Sequence, residues 1–92
     1  MNEANEADVM KQLKKYAGFF EIEHKTSFRG YRRKANGEEQ EVSVDIFDRG
    51  SEAGNSRYSC VATTNDGKMA TGNSASSIEL AISFVHWWEL DK

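Results

Sequence analysis

Few side chains in this sequence could do covalent or metal chemistry. The nucleophile and base candidates are one cysteine, Cys60, and two histidines, His24 and His86. A reactive thiolate needs a nearby base or cation. Cys60 lies instead within "RYSCVATT" (57–64), a β-branched and aromatic run where a small buried residue is expected. A tetrahedral metal site needs several convergent ligands at a recognisable spacing. "EIEH" (21–24) offers Glu21, Glu23 and His24, but strand alternation turns both carboxylates away from the imidazole. His24 therefore reads as a half-buried strand residue, and His86 as an exposed helix residue. The glycines do not form a phosphate loop, because "GSEAG" and "TNDGK" lack the strand–loop–helix setting with a terminal Lys-Ser/Thr. "TGNSASS" (71–77) reads as a helix cap rather than an anion site. The expectation is a noncatalytic protein with no cofactor and no metal site.

Binding chemistry has two candidate surfaces. The first is "HKTSFRGYRRK" (24–34), which carries no carboxylate. Lys25, Arg29, Arg32, Arg33 and Lys34 could contact phosphates, and Phe28 and Tyr31 could stack on bases. Downstream lies the acidic "EEQE" (38–41), and the two stretches flank "ANGE" (35–38). Asn-Gly suits a type I′ hairpin turn. Folding the chain back at Asn36-Gly37 sets Ala35 against Glu38, Lys34 against Glu39, Arg32 against Glu41 and Tyr31 against Val42. A bulge at Arg29-Gly30 would bring Phe28 into phase with Tyr31. This reading favours a salt-paired, solvated hairpin over a nucleic-acid site. The second surface is the stripe Leu80, Phe84 and Trp87 near the C-terminus, where large apolar groups suit a partner anchor.

These residues must be positioned by a small set of elements. Val9, Met10, Leu13, Tyr16, Ala17 and Phe20 share one arc at helical spacing, predicting a helix over about 5–17 that Gly18 stops. Phe20, Ile22, His24, Thr26 and Phe28 alternate with polar residues, which predicts a half-buried strand. Val42, Val44 and Ile46 predict a second strand. "DRGSEAGNS" (48–56) is a polar loop, 57–64 a third strand, "NDGK" (65–68) a tight turn and "KMATG" (68–72) a short last strand. "NSASSIELAISFVHWWEL" (73–90) predicts one C-terminal helix, with Ser76 and Glu79 as a capping box. Continuing its phase places Trp88 at the centre of the apolar arc, beside Ala81, Phe84 and Val85. Leu80 and Trp87 fall on one flank, Ile78 and Ile82 on the other.

The order helix, strands, helix resembles the double-stranded RNA-binding domain. The likeness covers about Val42 to Leu90 plus the first helix, and is nearest at "ATGNSASSIELAISFV" (70–85). It implies a sheet with its helices on one face. The family's lysines at the start of the last helix are replaced here by "SASSIE", and its Gly-Pro-x-His loop by "RGSEAGNSR". Residues 19–37 would be an insertion. The resemblance therefore carries over a fold and no RNA-contacting residue.

Composition bounds the rest. The 92 residues suffice for one domain with a single core. Two Trp, three Tyr and five Phe separate the chain from disordered sequences. Net charge is −3, divided as +3 over residues 1–34 and −6 over 35–92, which excludes a generally basic nucleic-acid binder. No apolar run approaches the roughly 20 residues of a bilayer span. The lone cysteine and the acidic, polar "MNEANEADVM" suggest a cytoplasmic protein without a secretory signal. The expected architecture is a single α+β domain over 1–92. An antiparallel sheet of three to four strands carries an N-terminal and a C-terminal helix on one face, and residues 1–4 are frayed. The expected role is a protein-interaction or self-association module, binding a protein partner or a second copy; the alternative is RNA or single-stranded nucleic acid bound through 25–34.

Overall fold

A computed structural model describes residues 6–92. The expectation for residues 1–4 lies outside these residues. The chain forms α1 (Glu6–Ala17), β1 (His24–Arg33), β2 (Glu39–Asp48), β3 (Tyr58–Thr64), β4 (Met69–Thr71) and α2 (Ile78–Phe84). Two 3₁₀ segments, Ser51–Ser56 and Trp87–Asp91, follow β2 and α2. The strands form one antiparallel sheet in the order β1-β2-β3-β4. The architecture is therefore α+β, with a four-stranded sheet and a helix at each end of the chain.

The β1–β2 and β3–β4 hairpins close by the same device. Each turn ends in a glycine at positive φ, Gly37 at 91° and Gly67 at 92°. The Gly37 amide donates to the Lys34 carbonyl at 2.9 Å, and the Lys34 amide donates to the Glu38 carbonyl at 2.8 Å. The β1–β2 loop therefore comprises Ala35, Asn36 and Gly37, and is not a two-residue type I′ turn. This three-residue connection places the glycine beside the strand end as an extra residue. The register moves by one from the sequence expectation: Arg33 faces Glu39, Arg32 faces Gln40 and Tyr31 faces Glu41. Such a slip exchanges the two faces for every residue of a strand. Pairing then continues unbroken from Arg33 back to His24, with no bulge at Arg29-Gly30. Phe28 falls opposite Val44 on the core side without a bulge, while Tyr31, expected opposite Val42 on the valine face, pairs with Glu41 and lies on the solvent side. Strand β1 also starts at His24, so Phe20 and Ile22 lie ahead of it.

The core lies between β2–β4 and the C-terminal segment. Val42, Ile46, Cys60, Ala62 and Ala70 from the sheet meet Ala81, Val85 and Leu90. The many alanines let α2 approach β3 closely. Ser77 caps α2, its hydroxyl accepting from the Leu80 amide at 3.2 Å, so the cap is one residue later than the Ser76 box.

The predicted single helix over 73–90 is divided. α2 ends at Phe84, and Val85 is extended, with φ −61° and ψ 135°. The next amide, His86, donates to the Thr71 carbonyl of β4 at 3.0 Å. Gly72 permits this approach, because a Cβ there would lie 2.1 Å from the Phe84 carbonyl oxygen. Val-His-Trp-Trp has modest helix propensity, so a tertiary hydrogen bond to a sheet edge decides the backbone. The break resets the side-chain phase. Trp88, expected at the core, is 56% exposed, with His86 stacked on it and Lys92 over its ring. Trp87, expected on the flank, is half-buried against the core. Leu90 is fully buried, at 0% exposure.

The helices do not share the sheet face equally. α2 packs on β3, and the segment Trp87–Asp91 lies beside β4. The arc of α1, expected to pack on the same face, stays uncovered. Tyr16 is 78% exposed, and Phe20, just beyond Gly18, is 88% exposed. The radius of gyration is 15.8 Å. A compact chain of this length would have about 12 Å. The molecule is correspondingly elongated, with extents of 50 × 28 × 23 Å.

Candidate interaction groove

Each face of the β1–β2 hairpin has a distinct character. On the solvent face the basic residues meet carboxylates. Arg29 Nε lies 3.4 Å from Glu41, Arg33 3.7 Å from Glu39, and Lys25 4.0 Å from Asp45. Ser27 donates to Asp45 at 2.6 Å. At the hairpin end Lys34 lies 3.8 Å from Glu38. The sequence expected the pairs Lys34–Glu39 and Arg32–Glu41; the one-residue register change replaces both. The expected kind of surface, a salt-laced strand face, is nonetheless present.

Arg32 lies on the other face. Its guanidinium donates to Asp91 at 2.9 Å and to Gln40 at 3.0 Å, tying β1 to the C-terminal segment. The Arg32 hydrogen bond holds the Asp91 carboxyl below the usual carboxylate range, against an opposing effect of desolvation. Gln40 is buried and spends its amide on the Leu90 carbonyl at 2.8 Å. This polar clamp seats the end of the chain and, with it, Trp87. The Trp87 indole donates to the Ile82 carbonyl at 3.0 Å, which fixes the ring beside the sheet.

A groove of about 260 Å³ opens next to that ring. Val42 and Val44 form its floor, Phe28 and Trp87 stand on either side, and Arg29, Gly30, Tyr31 and Arg32 line it along β1. Phe28 is 57% exposed there. Residues from two separate candidate surfaces thus converge in one place: Trp87 from the apolar stripe, and Phe28, Arg29, Tyr31 and Arg32 from the basic stretch. Lys25, Arg33 and Lys34 lie outside the groove. Leu80 and Phe84 are exposed on α2 and do not line it. Sequence reading missed Val42 and Val44 as site residues. Their alternation marked them as core, and nothing local signals that the overlying helix covers only half the sheet.

Cys60 is buried at the centre of β3, and desolvation pushes its thiol up, which makes it a poor nucleophile. Among the described residues, no three His, Cys, Asp or Glu side chains converge so as to hold a metal ion. Among those residues, no helix is long and apolar enough to cross a membrane. No protein-family model matches the chain, and no curated protein or solved structure matches it at a significant level.

Proposed function

We propose that the protein is a noncatalytic protein-interaction or self-association module that docks an apolar segment in the groove between Phe28 and Trp87. The observation carrying this reading is the half-covered sheet: an apolar floor of Val42 and Val44 beside an exposed Phe28. Exposed Ile78, Leu80, Ile82 and Phe84 on α2 enlarge the apolar surface nearby. Such surfaces are characteristic of partner sites. The cytoplasmic placement rests on the lone, buried cysteine.

Binding of RNA or single-stranded DNA through residues 25–34 is the alternative, as is the likeness in element order to the double-stranded RNA-binding domain. The pairing of Lys25, Arg29, Arg32, Arg33 and Lys34 with carboxylates weighs against it. A phosphate would have to compete with a carboxylate at each of these positions.

The test is a pair of NMR titrations of the folded protein, one with an amphipathic helical peptide and one with single-stranded RNA. Peptide-induced shifts at Phe28, Val44 and the Trp87 indole are expected, with weak RNA binding of shallow salt dependence. Submicromolar RNA binding at physiological salt, lost in the R29A/R32A/R33A variant, would overturn the reading, as would a salt slope of about 0.7 per phosphate over several phosphates.

A further inference from the structure

Among the described residues, two apolar surfaces are left without cover. One is the β1–β2 half of the sheet face, with Phe28, Val44 and Trp87 around the groove. The other is the arc of α1, where Val9 and Tyr16 are exposed, continuing to Phe19 and Phe20. An amphipathic helix laid in an apolar groove is a recurring mode of recognition. Here each copy has one such helix and one such groove.

We propose that two copies associate through reciprocal docking of α1 in the groove of the partner. The proposal rests on the reading of the groove as a docking site. Three observations favour a second copy. First, no residue of α1 lines its own groove. Glu23, in the link to β1, pairs with Arg49 at 3.2 Å, anchoring that link at the end of the hairpin remote from its turn. A cleft of about 670 Å³, lined by Lys14, Phe20, Ile22 and Arg49 among others, lies between α1 and this loop. Second, the surfaces are stoichiometrically matched, so a twofold dimer covers both helices and both grooves and closes without a remainder. Tyr16 and Phe20, at about 150 Å² each, with the partner surface they cover, bring the symmetric pair to about 1,200 Å², the lower bound of a stable interface.

Third, strand β1 is unsuited to the competing edge-to-edge dimer. The Lys34–Glu38 bond fixes the hydrogen-bonding alternation of the ladder. The outward backbone groups of this edge then belong to Lys25, Ser27, Arg29, Tyr31 and Arg33. Antiparallel self-pairing would set Arg and Lys of one copy against those of the other, a device that guards exposed edges. Docking of α1 avoids this repulsion.

The experiment mixes two preparations of the full chain. One carries a nitroxide at K14C and no isotope label; the other is isotope-labelled and otherwise unchanged. Cys60 is buried and does not take the nitroxide. The expected result is loss of amide signals from Gly30, Val42 and Val44 and of the Trp87 indole signal in the labelled copy, recovered when the nitroxide is reduced. Light scattering shows a dimer that Tyr16→Asp converts to a monomer. A dimer without signal loss at the groove overturns the proposal, and so does a monomer at every concentration. Signal loss confined to a doubly labelled chain diluted in plain protein means that α1 folds onto its own groove, which also overturns it. The peptide titration above separately decides whether the groove is a docking site at all.

Discussion

The two halves of one sheet face have different fates. Over β3 and β4, Cys60, Ala62 and Ala70 are sealed by Ala81 and Val85, with Leu90 completing the core. Over β1 and the adjoining side of β2, Phe28 is open and Val44 is only half-buried. Both halves carry apolar residues on this face, but β1 supplies only Phe28, between Thr26 and Gly30, beside Val42 and Val44 of β2. The halves differ in what lies above them: α2 over one, and over the other, among the described residues, only the end of the 3₁₀ segment, which reaches Arg32 and Gln40 and sets Trp87 at the groove. Burial on the first half stabilises the monomer. The same chemistry left exposed on the second half is available for binding.

Mutation can break or sharpen this contrast. The largest loss is expected at Leu90, buried at 0% exposure. Leu90→Ala should cost about 2–5 kcal/mol, measured by denaturant unfolding. A near-neutral result would mean that the C-terminal segment does not seal the core. Gly72→Ala tests the joint that holds this segment, since its Cβ would meet the Phe84 carbonyl. A cost of about 1–3 kcal/mol is expected from overpacking, together with weakened hydrogen-exchange protection of the His86 amide.

The tryptophans provide a sharper test. Trp87→Ala should destabilise by about 1–3 kcal/mol, less than the roughly 3–5 of a fully buried aromatic. Trp88→Ala should stay within about 1 kcal/mol. The reverse order in thermal unfolding would restore an unbroken helix.

Acidification gives a smaller effect. Asp48 accepts from Arg57 at 2.8 Å and from the Gly50 amide at 2.8 Å. The Arg57 hydrogen bond outweighs desolvation and lowers the Asp48 pKa from its ordinary 3.8. A depressed carboxylate pKa contributes stability fully above the unfolded-state value and loses it as pH falls through the folded-state value. Unfolding midpoints of the native chain and Asp48→Asn should therefore differ above pH 4 and converge at more acidic pH. A constant gap across that range would exclude Asp48 titration as the cause.

The smallest effect is expected on the solvent face of the open half. Arg33→Glu combined with Glu39→Arg reverses an exposed pair at 3.7 Å. It should change stability by no more than about 1 kcal/mol. A larger loss in a double-mutant cycle would mean that the salt-laced face supports the hairpin as much as the core does.

Much of the framework was legible because it depends on local rules. Gly18 ends α1 at φ 72°, and the alternation of Val42, Val44 and Ile46 marks a strand with one buried face. Cys60 was readable as core from its β-branched setting. The basic stretch and "EEQE" were readable as mutual partners from sign and proximity. The candidate groove was much less legible. Its members Phe28 and Trp87 lie far apart in sequence; Phe28 was placed on the apolar face, where it is found, but Trp87 was assigned the wrong helical phase and Tyr31 the wrong face of the strand.

The sequence by itself determined the α+β class, the strand alternation and the pairing of basic with acidic stretches. These follow from side-chain period, turn residues and charge, which act between near neighbours. Tertiary structure decided the register of the first hairpin, because the loop could close over two residues or three and only the assembled sheet selects one. It also decided which tryptophan is buried, because the helix ends where the His86 amide meets the Thr71 carbonyl. The half-covered sheet likewise depends on where two helices come to rest. That is set by packing and chain connection across the whole molecule, which no local pattern of residues records.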